Sequence, residues 1–371
     1  MNKLMGMIKS TSNTRPYGSL LDNRPDYMLP FGSRYRVIDI TLSNFSENGI
    51  TKVLLHGGEN IRSTLDHVGT GRPWEMDKRH DGLVINAPTR HEFESRNSRI
   101  TSYYNSLPFF EESSHEHIYI ANPMVVSRID ISDAYREFLE NDYDVMFLYR
   151  KQEDVENRYI NSRKIIFDDQ GKVQNIGLHL GTENIFNLFM DHVIIKKDVF
   201  KDIITMAQET DNANTLSEAV MENKDRLNIG AYEVKTHVEY IRDLQTYYQS
   251  NLNLLNEGIY TDLFLMGEGV LTKNKDEPST LYKKGNNIEN CIVANGCILE
   301  GEASGSVIFR GVKIGKNAIV KNSILFEGVV VEEGAIIVNA IVDKKAVIKK
   351  GVFVQSTVNN PYIVPKNQIM E

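Results

Sequence analysis

Toward the C-terminal end of the chain an aliphatic residue stands at every sixth position: Val312, Ala318, Ile324, Val330, Ile336, Val342, Ile348 and Val354. A helix repeats every 3.6 residues and an ordinary strand every two, so neither calls for this rhythm. A parallel β-helix does, because each short strand of a triangular coil presents one inward residue and then turns a corner. Gly311, Gly315, Gly328, Gly334 and Gly351, with Asn317, Asn322 and Asn339, supply turn-permissive residues nearby. The strands of a β-sandwich would alternate too, but without a register held over so many intervals. The pattern therefore predicts a C-terminal parallel β-helix.

Upstream the periodicity changes to alternating strands and helices. Leu4–Ile8 reads as a first strand, and residues 36–48 as a helix that Asn48-Gly49 ends. Strands are expected at 51–56, 118–126, 145–150 and 164–167, the last entering a turn at Asp168-Asp169-Gln170-Gly171. A helix over 132–141 has Ser132 as its expected N-cap, and a longer helical stretch covers 235–255. This order predicts an α/β domain with a mostly parallel sheet covered on both faces. The polar stretch 271–287 reads as an irregular entry to the coil. Two domains follow: residues 1–255, and 256–371 comprising linker and β-helix.

With 371 residues the chain is long enough for two buried cores. A formal charge of -8 argues against a nucleic-acid partner. No apolar run approaches the roughly 20 residues of a membrane span. The start, Met1 to Ile8, lacks a signal peptide's longer apolar core, so a cytoplasmic location is expected. The two cysteines, Cys291 and Cys297, read as buried small hydrophobes in a reducing compartment. All nine histidines precede the coil, which excludes the β-helical acyltransferases that use a coil histidine as base.

The segment Leu29-Pro30-Phe31-Gly32-Ser33-Arg34-Tyr35-Arg36-Val37-Ile38-Asp39 continues into Ile40-Thr41-Leu42-Ser43-Asn44. It resembles the P-F-G-G-[KR]-Y-R-[IL]-I-D-F-x-L-S-N stretch of ADP-glucose pyrophosphorylases (glucose-1-phosphate adenylyltransferases). Gly69 to Asp77, reading GTGRPWEMD, resembles that family's G-x-G-x-P-W-D-L-D, and Asp81 to Ile85 its G-G-V-x-V. Together with the coil, the resemblance spans nearly the whole chain in the right order. It implies a Rossmann-like nucleotidyltransferase domain followed by a left-handed β-helix. The family makes ADP-glucose from ATP and glucose 1-phosphate with Mg²⁺, as tetramers.

The departures from that family bear directly on chemistry. Its A-G-G-x-G-T-R-L loop lets backbone N–H groups cradle phosphates, a task that depends on glycine. Here Ser10, Thr11 and Asn13 stand in the glycine places, while Thr14 and Arg15 remain. Its S-G-D-H aspartate, which holds Mg²⁺, is replaced by Met124, a soft neutral thioether unsuited to that ion. Asp243 corresponds to a second family carboxylate. The lysine that grips sugar phosphate in F-x-E-K-P has no counterpart in Asn175-Ile176-Gly177-Leu178-His179.

Phosphoryl transfer relies on positioning and on charge neutralisation by metal and cations. With these parts changed and the scaffold kept, the chain resembles a catalytically silent second subunit of that family. No metal or cofactor is expected for it. The implied partner is a catalytic ADP-glucose pyrophosphorylase subunit in a heterotetramer. Arg24, Arg34 and Arg36 are candidates to bind an anionic effector such as a sugar phosphate. The alternative is a divergent but active sugar-phosphate nucleotidyltransferase. Ile308, Phe309 and Phe326 are candidates for an apolar contact with a second subunit.

Overall fold

The computed structural model describes residues 3–9, 16–58, 60–88 and 98–371. Ser10, Thr11, Asn13 and Arg15 lie outside the described residues. The chain forms two compact units, the first built from Met1–Thr11, Thr41–Glu59 and Thr70–Val238, the second from Ser12–Ile40, Asn60–Gly69 and Glu239–Glu371. Among the described residues no helix is long and apolar enough to cross a membrane.

The first unit is built on a sheet of β1 (Leu4–Ile8), β2 (Val53–His56), β3 (Leu83–Asn86), β4 (His117–Ala121), β5 (Val145–Glu153), β6 (Arg163–Phe167), β7 (Val173–Leu178), β8 (Ile185–Lys196) and β9 (Ile229–Glu233). The order is β7-β6-β8-β4-β1-β2-β3, with β5 paired to β8 and β9 to β5. β1, β2, β3 and β4 run parallel. β8 is antiparallel to β4, β5 and β6, so the sheet is mixed rather than mostly parallel. The long strand β8 was not foreseen, because a strand buried along most of its length shows no alternation to read.

One face of the sheet packs Met5, Met7, Ile118, Ile120 and Phe147 against Ile100, Tyr103, Phe110, Phe200, Ile203 and Ile204 from the helices beside it. Toward the other face, Phe45 of the helix Val37–Glu47 approaches β1 so closely that a Cβ on Gly6 would lie 2.5 Å from its ring. Gly6 is therefore a packing glycine. The helix Ile131–Glu140 is capped by Asp130, whose side chain accepts from the Asp133 N–H, and not by Ser132. Ser132 donates instead to the Asn48 side chain at 2.9 Å. Trp74 is fully buried in a turn set by left-handed Gly71 and Glu75.

The second unit contains the parallel β-helix, three stacked sheets running from Leu281–Tyr282 to Ile369–Met370. Strand partners sit 17 residues apart through the middle turns: Ile314 beside Val331 and Val331 beside Ile348, Val320 beside Ile337 and Ile337 beside Val354, Leu325 beside Val342. The inward ladder is therefore Ile314, Val320, Leu325, Val331, Ile337, Val342, Ile348 and Val354. Each turn is two steps of six and one of five, and a strict six-residue register fails once per turn. Val312, Ala318, Val342, Ile348 and Val354 do reach the core. Val330 and Ile336 are only half-buried, and Ile324 lies on the outer side of its sheet. The shorter step coincides with Asn322 and Asn339, both left-handed.

Two further expectations change. The 235–255 helix is only Leu244–Asn253, started late by Asp243. Ile308, Phe309 and Phe326 are buried within their own chain, the two phenylalanines edge to face at 5.3 Å, so they offer no exposed contact. Cys291 and Cys297 are free thiols, and Cys297 is part of the coil core.

Candidate functional site

In open α/β sheets ligands bind beyond the carboxyl ends of the parallel strands. In the first unit Met124 sits at that end of β4. It is 2% exposed, and its backbone N–H donates to Asn122 Oδ1 at 3.0 Å. The Asn122 carbonyl is 3.2 Å from His192 Nε2, while His192 Nδ1 meets the Tyr119 hydroxyl at 2.8 Å. Burial pushes the His192 imidazole down to about 4. The ring is therefore neutral at pH 7, with Nε2–H donating to the carbonyl and Nδ1 accepting from Tyr119. Met124 is thus held in a dry, hydrogen-bonded setting, in the place where the resemblance calls for a magnesium carboxylate.

The other degenerate positions are engaged elsewhere. Asp243 caps Leu244–Asn253, accepting from the Thr246 N–H at 2.8 Å and the Thr246 hydroxyl at 2.9 Å. At the sugar-phosphate position, His179 is fully buried, stacked 3.9 Å from Phe186 and 3.1 Å from Asp154. Among the described residues no group of three His, Cys, Asp or Glu could hold a metal. A thioether and a capping carboxylate do not suit Mg²⁺, and no chemical step is assigned to that ion here.

The second unit holds a different kind of site. Strands Pro30–Phe31 and Tyr35–Arg36 form a tight hairpin whose tip, Gly32 and Ser33, is left-handed at both residues (φ 56° and 69°). A Cβ on Gly32 would lie 2.7 Å from the Phe264 ring, so glycine is required there for space as well as conformation. Asp39, fully buried, anchors the hairpin's end. It accepts from the Arg36 N–H at 3.0 Å and from Thr272 at 2.6 Å, and it pairs with His67 at 2.6 Å. These bonds to Asp39 thus fix the backbone from which the Arg36 side chain starts.

Arg34 and Arg36 then line a cavity of about 40 Å³ together with Lys273, Lys275, Arg310, Lys344, His67, Tyr35, Phe309 and Glu327. The Arg36 guanidinium donates to the Met28 carbonyl at 2.9 Å. Burial, with Arg24 nearby, pulls its pKa below the usual arginine range. Glu327 bridges Lys344, at 2.9 Å, and Lys275. Burial alone would raise the Glu327 pKa, but the two lysines outweigh it and hold it at about 2. Lys344 moves the other way from most paired lysines, down to about 8, because burial and the Arg36 charge outweigh Glu327. Such a lining, six cations around one carboxylate, suits an anion.

Arg24 does not line this cavity. It is 3% exposed and donates to both Asp343 oxygens, at 2.8 and 3.0 Å, so its charge is matched inside the protein. The lining residues Lys273, Lys275, Arg310, Lys344 and Glu327 were missed in the sequence, where they read as solvated charges. One signal was available. Opposite charges recur at a spacing of 17, in Lys283–Glu300, Glu327–Lys344, Glu332–Lys349 and Glu333–Lys350, and this is one turn of the coil.

In sequence, the α/β sheet is followed by a parallel β-helix of hexapeptide type. Residues 279–359 match the family model "GlmU-like, C-terminal hexapeptide". The glycogen biosynthesis protein GlgD of Bacillus subtilis is 27% identical over 86% of this chain and 83% of its own length. The GlgD of Geobacillus stearothermophilus is 28% identical over the same shares. The glucose-1-phosphate adenylyltransferase of Mycoplasma mobile is 26% identical over 79% of this chain and 78% of its own. Over most of its length the chain is thus similar to GlgD proteins and to glucose-1-phosphate adenylyltransferases.

Proposed function

We propose that this chain serves glycogen biosynthesis as a regulatory subunit that makes no ADP-glucose itself and tunes a catalytic adenylyltransferase subunit within a heterotetramer. The observation that carries the reading is Met124, buried and neutral at the end of β4 in the place of a magnesium carboxylate. Loss of a metal's charge stabilisation removes several kcal/mol from transition-state binding, a rate loss on the order of thousands-fold. Tuning requires only that the chain bind the partner's active conformation better than its inactive one, by about 1–3 kcal/mol. The names of the GlgD and adenylyltransferase relatives support the pathway.

The cavity around Arg34 and Arg36 is the part of this chain suited to an effector, a sugar phosphate or similar anion, which would displace Glu327 from Lys344 and Lys275. The test is ADP-glucose formation from ATP and glucose 1-phosphate at fixed catalytic subunit, with and without this chain, and with the chain alone. A silent chain that raises the partner's rate is the expected result. Turnover by the chain alone would favour the active-enzyme alternative and overturn this reading. An effector response unchanged by Arg34→Ala and Arg36→Ala would remove the effector assignment.

A further inference from the structure

A second cationic cavity, in the first unit, already contains an anion of the protein's own. The pairing of β8 with β5 skips register between Phe189 and His192, leaving Met190 and Asp191 in a bulge. Asp191 is left-handed there (φ 57°), a conformation that costs a residue with a Cβ about 1–2 kcal/mol. The bulge places Asp191 in a cavity lined by Lys9, Arg99, Tyr103, Arg163 and Ser217. One Arg163 nitrogen donates to Asp191 Oδ1, and the other donates to Ser217 Oγ at 2.6 Å. The guanidinium lies 5.1 Å over the Phe189 ring, and the Lys9 ammonium 4.6 Å over Tyr103.

The position of this cavity gives it meaning. Lys9 directly follows β1, and Ile120, also in the lining, is the penultimate residue of β4. The cavity therefore opens at the carboxyl ends of the central parallel strands. Three cations line it; Arg163 pairs with the Asp191 carboxylate, which is only 6% exposed, while the Lys9 ammonium donates to the Arg99 carbonyl at 3.3 Å. The remaining volume is about 30 Å³, room for a water or two and not for a phosphate ester.

We propose that Asp191 is a built-in stand-in for an oxyanion, closing a latent phosphate-binding site formed by Lys9, Arg99 and Arg163. The carboxylate neutralises the guanidinium that would grip a phosphate and fills the space such a ligand needs. A left-handed bulge residue within β8, kept in place by an ion pair, is the expected form of such a plug. The inference is independent of the regulatory reading, since it concerns what keeps a crevice closed and not which partner the chain serves.

The experiment is calorimetric titration of the full chain with inorganic phosphate, for the natural protein, Asp191→Asn, Asp191→Gly, and Asp191→Gly combined with Arg163→Met. The cavity around Arg36 is the same in all four, so the readout is any additional equivalent bound. Asp191→Gly, which removes both charge and bulk, is expected to bind one phosphate more than the natural chain, at least tenfold tighter than that chain does at this site, whereas the isosteric Asp191→Asn, which still fills the space, is expected to gain none. The double variant is expected to lose it. Asp191→Gly guards against misfolding, because glycine adopts φ near 57° without strain. An unchanged stoichiometry in folded Asp191→Gly would overturn the proposal, and so would an additional phosphate that survives Arg163→Met.

Discussion

Glu327 and Lys344 are close partners with very different proton balances, and both can be read in solution. Glu327 is held at about 2 in the fold against 4.5 for the free group. Its folded pKa is depressed, so its stabilisation is complete above pH 4.5 and disappears as pH falls toward 2. Replacing it by Gln should flatten the stability curve in that window, as measured by urea unfolding at a series of pH values. Lys344, lowered to about 8 by burial and Arg36, keeps its charge through neutral pH and loses it above about 8. Anion binding in the cavity should therefore weaken between pH 7 and 9. Sulfate is the right probe because its own charge is constant over that range. Lys344→Met should bind sulfate more weakly and abolish this pH dependence, whereas Glu327→Gln should bind it more tightly, by removing the competing carboxylate. Equal sulfate affinity in all three proteins would exclude the cavity as an anion site.

At the scale of elements, the coil shows both the power and the blind spot of pattern reading. The β-helix was legible because aliphatic residues recur near every sixth position, but the corner step of five was not. Both Val330 and Val331 are valines, and Ile336 and Ile337 are isoleucines, so a one-residue slip costs the pattern nothing. Only strand pairing at 17-residue intervals decides which of each couple points inward. The register makes a sharp prediction. Val331→Ala removes two buried methyl equivalents from the core and should cost about 2 kcal/mol. Val330→Ala, on the half-buried side, should cost less than about 1 kcal/mol. Chemical denaturation of the two variants ranks them, and the reverse order would restore the strict six-residue register. The hairpin carrying Arg34 and Arg36 was legible from its motif. The lysines that complete its cavity were not, because Lys344 stands 308 residues beyond Arg36 along the chain and Lys273 and Lys275 come from a stretch that resembles a solvated linker.

At the scale of the whole molecule, the proposal that this chain makes no ADP-glucose can be tested through Met124. Met124 is buried, with its backbone tied to Asn122 and the neutral His192 tied to the same turn. A carboxylate introduced there meets no cation in that network and loses water it would otherwise bind. Met124→Asp should therefore destabilise the fold, by at least about 2 kcal/mol in denaturant unfolding. It should also fail to confer ADP-glucose formation. A restored aspartate leaves Asp243 committed to its helix cap, leaves no lysine at 175–179, and leaves Asp191 in the crevice with Arg163. Transition-state stabilisation by a metal, a phosphate cradle and a sugar-phosphate cation is strongly non-additive, so returning one part recovers almost nothing. Combining Met124→Asp with Asp191→Gly separates closure from chemistry. If closure is the only remaining block, the pair should turn over. If silence is distributed through the crevice, as these side chains argue, the pair should gain phosphate binding and still make no ADP-glucose. Detectable turnover by either variant in the absence of any catalytic subunit would overturn the proposal of a silent chain.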